Sequence, residues 1–157
     1  MSANIKIRDL TSADWTSWQR LAMIYVRDHE MGHPADAIGP TFDRLTDLEI
    51  PSVRGLLIFV DGVARGFLHF MTHSYCWRKE DVTYVQDLFV EEAARGQGLA
   101  RKLMARVYQE ADQAGTSQVY WLALTGNKPA RGLYDQIGQV QDLVQYRRLN
   151  LTEAWHR

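Results

Sequence analysis

The segment from Val82 to Tyr108 reads VTYVQDLFV, then EEAARGQGLA, then RKLMARVY. That order commits the chain to a strand, a glycine-bearing loop and a helix. Val82, Tyr84, Val85, Leu88, Phe89 and Val90 carry the β-branched and aromatic weight of a buried strand, with Asp87 the one charge inside it. In Arg95-Gly96-Gln97-Gly98-Leu99-Ala100 the glycines let the backbone turn while its amides converge at the start of the next helix, which is where anions bind. Leu99, Leu103, Val107 and Ala111 then share one helical face, flanked by Ala100, Met104 and Tyr108. Arg101 and Lys102 oppose the helix dipole at about 0.3–1 kcal/mol each when exposed, a placement that makes sense when an anion sits there. The expected ligand group is phosphate.

Two familiar phosphate motifs are excluded. No Gly-Lys-Ser/Thr occurs, and Gly96-Gln97-Gly98-Leu99-Ala100-Arg101 lacks the third glycine of a dinucleotide fingerprint. The pattern resembles instead the acetyl-CoA loop of the GNAT superfamily of N-acetyltransferases, Arg/Gln-x-x-Gly-x-Gly/Ala, met here by Arg95, Gly98 and Ala100. VQDLFV is similar to that family's central strand, and GNKPARGLY at 126–134 to its second cofactor segment. WQRLAMIY, HSYCW, YVQDLFV, VYQEADQAGTSQVYWLAL and YRR further resemble the fungal Hpa-type histone, polyamine and D-amino-acid acetyltransferases. More loosely, they resemble the spermidine/spermine and thialysine enzymes.

The resemblance implies an α/β (α+β) chain of the GNAT fold, with a mixed, mostly antiparallel sheet of six to seven strands flanked by about four helices, as a single domain over 1–157. It implies acetyl-CoA as co-substrate and no metal. Leu88, Phe89 and Val90 would hold the pantetheine arm, the backbone of Leu88 and Val90 also polarising the thioester carbonyl. The amides from Arg95 through Gly96, Gln97, Gly98, Leu99 and Ala100 to Arg101 would take the pyrophosphate. Asn127 and Ala130 would complete the cofactor site, and Tyr134 matches the tyrosine that protonates the leaving thiolate. A homodimer is expected, because relatives are commonly dimeric.

The chain has 157 residues, enough for one domain with a proper core, and 46% hydrophobic with 24% charged residues is ordinary for a globular protein. A formal net charge of −1 argues against a dedicated nucleic-acid binder and leaves cationic small molecules open. Cys76 is the only cysteine, so no internal disulfide forms. With no signal peptide or apolar run of membrane length, a cytoplasmic enzyme without a membrane partner is expected.

Taken in order, residues 4–10 read as a first strand, and Thr11 with Asp14 as a capping box before a helix whose Trp15, Trp18, Ala22, Tyr25, Val26 and His29 share a face. That face reads as core. In many relatives this helix also walls the acceptor pocket, so Tyr25 and His29 are substrate candidates. Residues 31–40 read as a loop, and 41–48 as a short helix carrying Asp43 and Asp47 ahead of Glu49, either a solvated face or an acceptor entrance. Asp61-Gly62 between apolar runs 53–60 and 63–72 predicts a hairpin. Its second strand sets Phe67, His69, Met71, His73 and Tyr75 on one face; His69 and His73 lie roughly 13 Å apart there, too far for one metal ion. SQVYWLAL at 117–124 reads as another buried strand, Asn127 as the cap of a helix that Gly138 ends, and 139–149 as the remaining strands.

The chemistry follows from the amine. With a pKa near 10.4, only about one alkyl amine in 2,500 is uncharged at pH 7, so the protein must help remove a proton. Asp87, set by strand alternation on the face opposite Gln86, Leu88 and Val90, is the leading carboxylate for holding the ammonium or accepting its proton through water. Its alternative is an ion-paired structural aspartate. Spermidine/spermine-type relatives carry a glutamate just before this aspartate, where this chain has Gln86, a further substrate-side candidate; Hpa-type enzymes also have a neutral residue there. The expected reaction is direct acetyl transfer, in a ternary complex, to a primary amine of a polyamine or amino acid. A protein lysine or N-terminal acetyltransferase, and a non-catalytic acyl-CoA-binding module, are the competing readings.

Overall fold

The computed structural model describes residues 3–28 and 34–146. By backbone contacts the chain separates into two compact units, Met1–Leu122 and Ala123–Arg157. The first unit is built on β2 (Val53–Val60) and β3 (Val63–His73), joined by Asp61-Gly62 with both residues at positive φ (49° and 81°), so that Val60 pairs with Val63. A two-residue turn with that handedness matches the strands' own twist, and the expected hairpin forms. β1 (Ile5–Asp9) pairs antiparallel with β2, and β4 (Val82–Val90) antiparallel with β3. β5 (Val119–Trp121) runs parallel to β4, giving a five-stranded sheet in the order β1-β2-β3-β4-β5.

The sheet is buried on both faces. Leu57, Phe67 and Phe89 belong to a core with Trp18, Leu21 and Ala22 of α1 (Trp15–Asp28) and Phe42 and Leu45 of α2 (Ile38–Thr46). Their strand neighbours Leu56, Ile58 and Leu68 are equally buried, as are Leu99, Leu103, Met104, Val107 and Ala111 along one face of α3 (Leu99–Ala114), which packs on β2, β3 and β4. The 3.6-residue spacing read in the sequence is thus the packing face of α3.

Several expectations are corrected. Five strands are present among the described residues rather than six to seven, because 139–146 carry no strand, and Val140, Leu143, Val144 and Tyr146 there are exposed. The buried strand expected over 117–124 contracts to Val119–Trp121, only half-buried, with Leu122 and Leu124 exposed. α2 begins at Ile38 instead of 41, since Pro40 falls in its first turn, where a missing N–H costs nothing. In the second unit, α4 (Lys128–Ile137) starts as expected: Asn127 Oδ1 accepts from the Ala130 amide at 3.4 Å, with proline in the first turn.

The approach to α1 is tied down electrostatically. The Asp14 carboxylate accepts from Arg8 Nη1 and Nη2 (2.7 and 2.6 Å), the Thr11 amide (2.9 Å) and the Thr11 hydroxyl (2.8 Å). These bonds, the Arg8 pair foremost, lower its pKa from 3.8 to about 2. The folded carboxyl therefore binds a proton less readily than the unfolded one. Its contribution is complete above about pH 5 and is lost as pH falls towards 2, and is worth about 1–2 kcal/mol once the partly exposed Arg8 is allowed for. Asp14→Asn should cost that amount in urea unfolding at pH 7 and flatten the stability curve between pH 5 and 2.

Candidate active site

The pairing of β3 with β4 slips by one residue in its middle. His69 faces Asp87, but Phe70 faces Val85, so Gln86 is the extra residue of a bulge. Strict alternation would put Gln86 and Asp87 on opposite faces. The bulge overrides it, and both side chains line one cavity. The cavity, about 90 Å³, is walled by Trp18, Tyr25, Phe67 and His69 on the aromatic side and by Ile38 and Thr41 of α2. β5 pairs only with Thr83–Val85, so β4 runs on through Gln86, Leu88 and Val90 beyond its parallel neighbour.

Asp87 is fixed from two sides. Tyr25 Oη donates to Asp87 Oδ1 at 2.8 Å, and His69 Nδ1 lies 2.9 Å from Asp87 Oδ2. His69 Nε2 in turn accepts from the Trp18 indole N–H at 2.9 Å. Trp18 and His69 are buried, and the imidazole stacks on Phe67 with centroids 4.4 Å apart and planes 11° off parallel. Sequence reasoning placed Trp18 on a core face of its helix and His69 on one face of its strand with Phe67, without joining them. The available signal was chemical: His69 and Asp87 are polar residues inside apolar strands, and Trp18 carries an N–H that a buried indole must satisfy. His73 belongs elsewhere, with Nε2 at 2.8 Å from Tyr120 Oη.

Beyond the bulge, the end of β4 is clamped. Glu91 is buried and receives Arg20 Nη1 and Arg65 Nη1, each at 2.6 Å. Burial works to raise its pKa, but the hydrogen bonds from Arg65 and Arg20 win and hold it below the usual carboxylate range. Gly66, opposite Val90, has no room for a side chain: a Cβ there would stand 2.4 Å from the Phe89 carbonyl oxygen. Arg95 Nε donates back to the Val90 carbonyl at 3.0 Å and closes the loop.

Arg95, Gly96, Gln97 and Gly98 are exposed, and Gly96 and Gly98 take φ of 78° and 73°, the left-handed region that favours glycine. No atom lies within 4 Å of where a Cβ would stand at either. Leu99 and Ala100 open α3, whose first amides have no carbonyl one turn back to receive them. The first turn holds no acidic residue, while Arg101 and Lys102 stand in it. These features suit a phosphate-bearing guest: open space, converging amides, dipole and cations of one sign.

The structure therefore gathers Tyr25, Gln86 and Asp87 around one cavity, sets Leu88, Phe89 and Val90 on the adjoining strand, and presents 95–101 at the head of α3. His29 lies outside the described residues. Asn127, Ala130 and Tyr134 are on or beside α4 of the second unit, where burial raises the Tyr134 pKa. Among the described residues, no group of three or more His, Cys, Asp or Glu could hold a metal ion, and no helix is long and apolar enough to cross a membrane.

Comparison with known proteins supplies the family. The model of the Acetyltransferase (GNAT) family matches residues 7–139. The D-amino-acid N-acetyltransferase of Saccharomyces cerevisiae is 35% identical over 148 residues, 92% of this chain and 90% of that protein. The thialysine N-epsilon-acetyltransferase of Bos taurus is 33% identical over 89 residues, 57% of this chain and 47% of its own length. A crystal structure of an aminoglycoside N-acetyltransferase in complex with CoA superimposes with a TM-score of 0.79 at 21% identity, over 96% of this chain and 98% of that one. The expectation drawn from Arg95, Gly98 and Ala100 is borne out: the chain belongs to the GNAT family and is an N-acetyltransferase.

Proposed function

We propose that the chain, acting as one acetyltransferase domain over 1–157, moves an acetyl group from acetyl-CoA to a primary amine of a small molecule, a polyamine or an amino acid, within a ternary complex and without a covalent enzyme intermediate. The observation that carries this reading is the Asp87 carboxylate in a small cavity among Trp18, Tyr25 and Phe67. A carboxylate with aromatic faces beside it selects an ammonium, by charge and by cation–π attraction worth about 0.5–2 kcal/mol. The names of the yeast and bovine relatives, which specify D-amino acids and thialysine, point to the same class.

Acetyl-CoA, when bound, supplies an acetyl group on a thiol leaving group. The chain's part is to place and to move protons. The backbone of Leu88, Phe89 and Val90 would hold the pantetheine arm and the loop amides from Arg95 to Arg101 the pyrophosphate, while Asn127 and Ala130 are cofactor-side candidates by the resemblance alone. Asp87 draws the ammonium to the cavity and takes its proton, directly or through water, so that the amine meets the acyl carbon uncharged. Tyr134, whose pKa burial raises above an ordinary value that already leaves it protonated at neutral pH, would by the resemblance supply the Oη proton that a departing thiolate needs. Gln86, a neutral neighbour of Asp87, offers the substrate a hydrogen bond without a second charge, and Tyr25 lines the acceptor side, with His29 a substrate candidate by the resemblance alone. A homodimer, carried by the resemblance, and a cytoplasmic location belong to the same proposal.

Thiol release from acetyl-CoA against a panel of polyamines, amino acids and lysine peptides tests the activity, which is expected with free amines and would be overturned by acetylation of peptides alone. Asp87→Asn should lower kcat by about 10²–10³-fold and Tyr134→Phe by less, both with unchanged calorimetric affinity for acetyl-CoA. Arg101→Ala should do the reverse, weakening acetyl-CoA binding about tenfold, the loss of about 1.4 kcal/mol of charge-assisted contact. Wild-type rates in both Asp87→Asn and Tyr134→Phe would overturn their assigned roles.

A further inference from the structure

Resting on the proposed role of Asp87, the geometry points to His69 as a positioning residue whose tautomer is dictated by Trp18. An indole nitrogen can only donate a hydrogen bond. The contact of 2.9 Å from Trp18 Nε1 therefore requires a lone pair on His69 Nε2, which leaves the imidazole proton on Nδ1. That proton points at Asp87 Oδ2, 2.9 Å away. Reversing the tautomer would set two N–H groups against each other at Nε2 and a lone pair against a carboxylate at Nδ1. Adding a second proton would break the Trp18 bond. His69 is thus a neutral, one-way donor, and it neither supplies nor accepts the reacting proton.

Two consequences follow for Asp87. With Tyr25 donating to Oδ1 and His69 to Oδ2, the carboxylate plane is held at both oxygens by these two donors. Neither donor brings a positive charge to the carboxylate that an ammonium must find. A neutral donor fixes the carboxylate and leaves that charge for the substrate. The surroundings keep the imidazole in this state. Phe67 stacks on its face, Trp18 tilts across it with centroids 5.7 Å apart, and on the cavity side α2 presents Ile38 and Thr41, neither ionisable.

The test has an arm that does not depend on catalysis. Long-range proton–nitrogen NMR correlations on the free protein at neutral pH should show His69 protonated at Nδ1 alone; protonation at Nε2 would overturn the proposal even if acetyl transfer is confirmed. In Trp18→Phe the Nδ1–H form should lose its exclusivity, and an unchanged spectrum would count against Trp18 as its cause. For the rate, asparagine places an amide N–H where Nδ1–H stood. His69→Asn should therefore retain most of kcat, while His69→Leu loses on the order of 10–100-fold, part of the 10²–10⁴ that a well-placed acid–base group provides. Equal kcat in His69→Leu and wild type would overturn the positioning role. Failure to acetylate any amine would sink the reading of Asp87 and leave the NMR result to decide the tautomer.

Discussion

The bulge at Gln86 is the constraint on which the site depends. A sheet ladder left regular would alternate the side chains of β4 strictly, sending either Gln86 or Asp87 into the face occupied by α3. One extra residue resets the pattern. It brings both polar side chains to the cavity while Val85 on one side and Phe89 on the other return to the core, each less than a tenth exposed. The same irregularity marks where pairing with β5 stops, after Val85 and Trp121, so that the second half of β4 extends past its parallel neighbour. A single insertion in the ladder thus turns Gln86 and Asp87 towards the cavity, just where β4 runs on beyond β5.

The two halves of the site are stabilised by opposite means. Around Asp87 the Tyr25 hydroxyl, the His69 imidazole and the Trp18 indole are joined in hydrogen bonds inside an aromatic shell, and no buried side-chain nitrogen or oxygen among the described residues lacks a partner. Low local polarity strengthens each of those bonds and makes any mismatch expensive, which gives the network one arrangement. The loop from Arg95 to Gly98 is exposed and held by its ends. Glycines at positive φ shape it, with open space where a Cβ would stand at Gly96 and Gly98, so its backbone is accessible to a guest.

Much of this was legible in the sequence, for identifiable reasons. Asp61-Gly62, the apolar face of α3, the Thr11–Asp14 cap and the Asn127 cap are local signals, each decided within a few residues. The family followed from Arg95, Gly98 and Ala100, because a backbone that must approach a phosphate tolerates few side chains. What escaped was non-local. The bulge arises from the competition between two strands for register, which neither strand's composition reveals. The line from Trp18 through His69 to Asp87 joins residues 51 and 18 positions apart, and only the folded sheet brings them together. The strands expected over 117–124 and over 139–149, of which 147–149 lie outside the described residues, show the converse in 122–124 and 139–146: apolar alternation is necessary for a strand and does not itself provide a neighbour to pair with.

Glu91 closes β4 with one arginine from α1 and one from β3 upon it, and Arg20 also reaches the Ala64 carbonyl at 2.6 Å. Three segments are thereby riveted together immediately upstream of the glycines. A host whose receiving surface is already rigid forfeits little disorder when a guest arrives, so more of the gross attraction survives as affinity. Loosening that rivet would restore freedom to the segment that leads from Glu91 into the glycines, where the Ala94 amide donates to the Glu91 carbonyl, and a guest settling there would have to remove it.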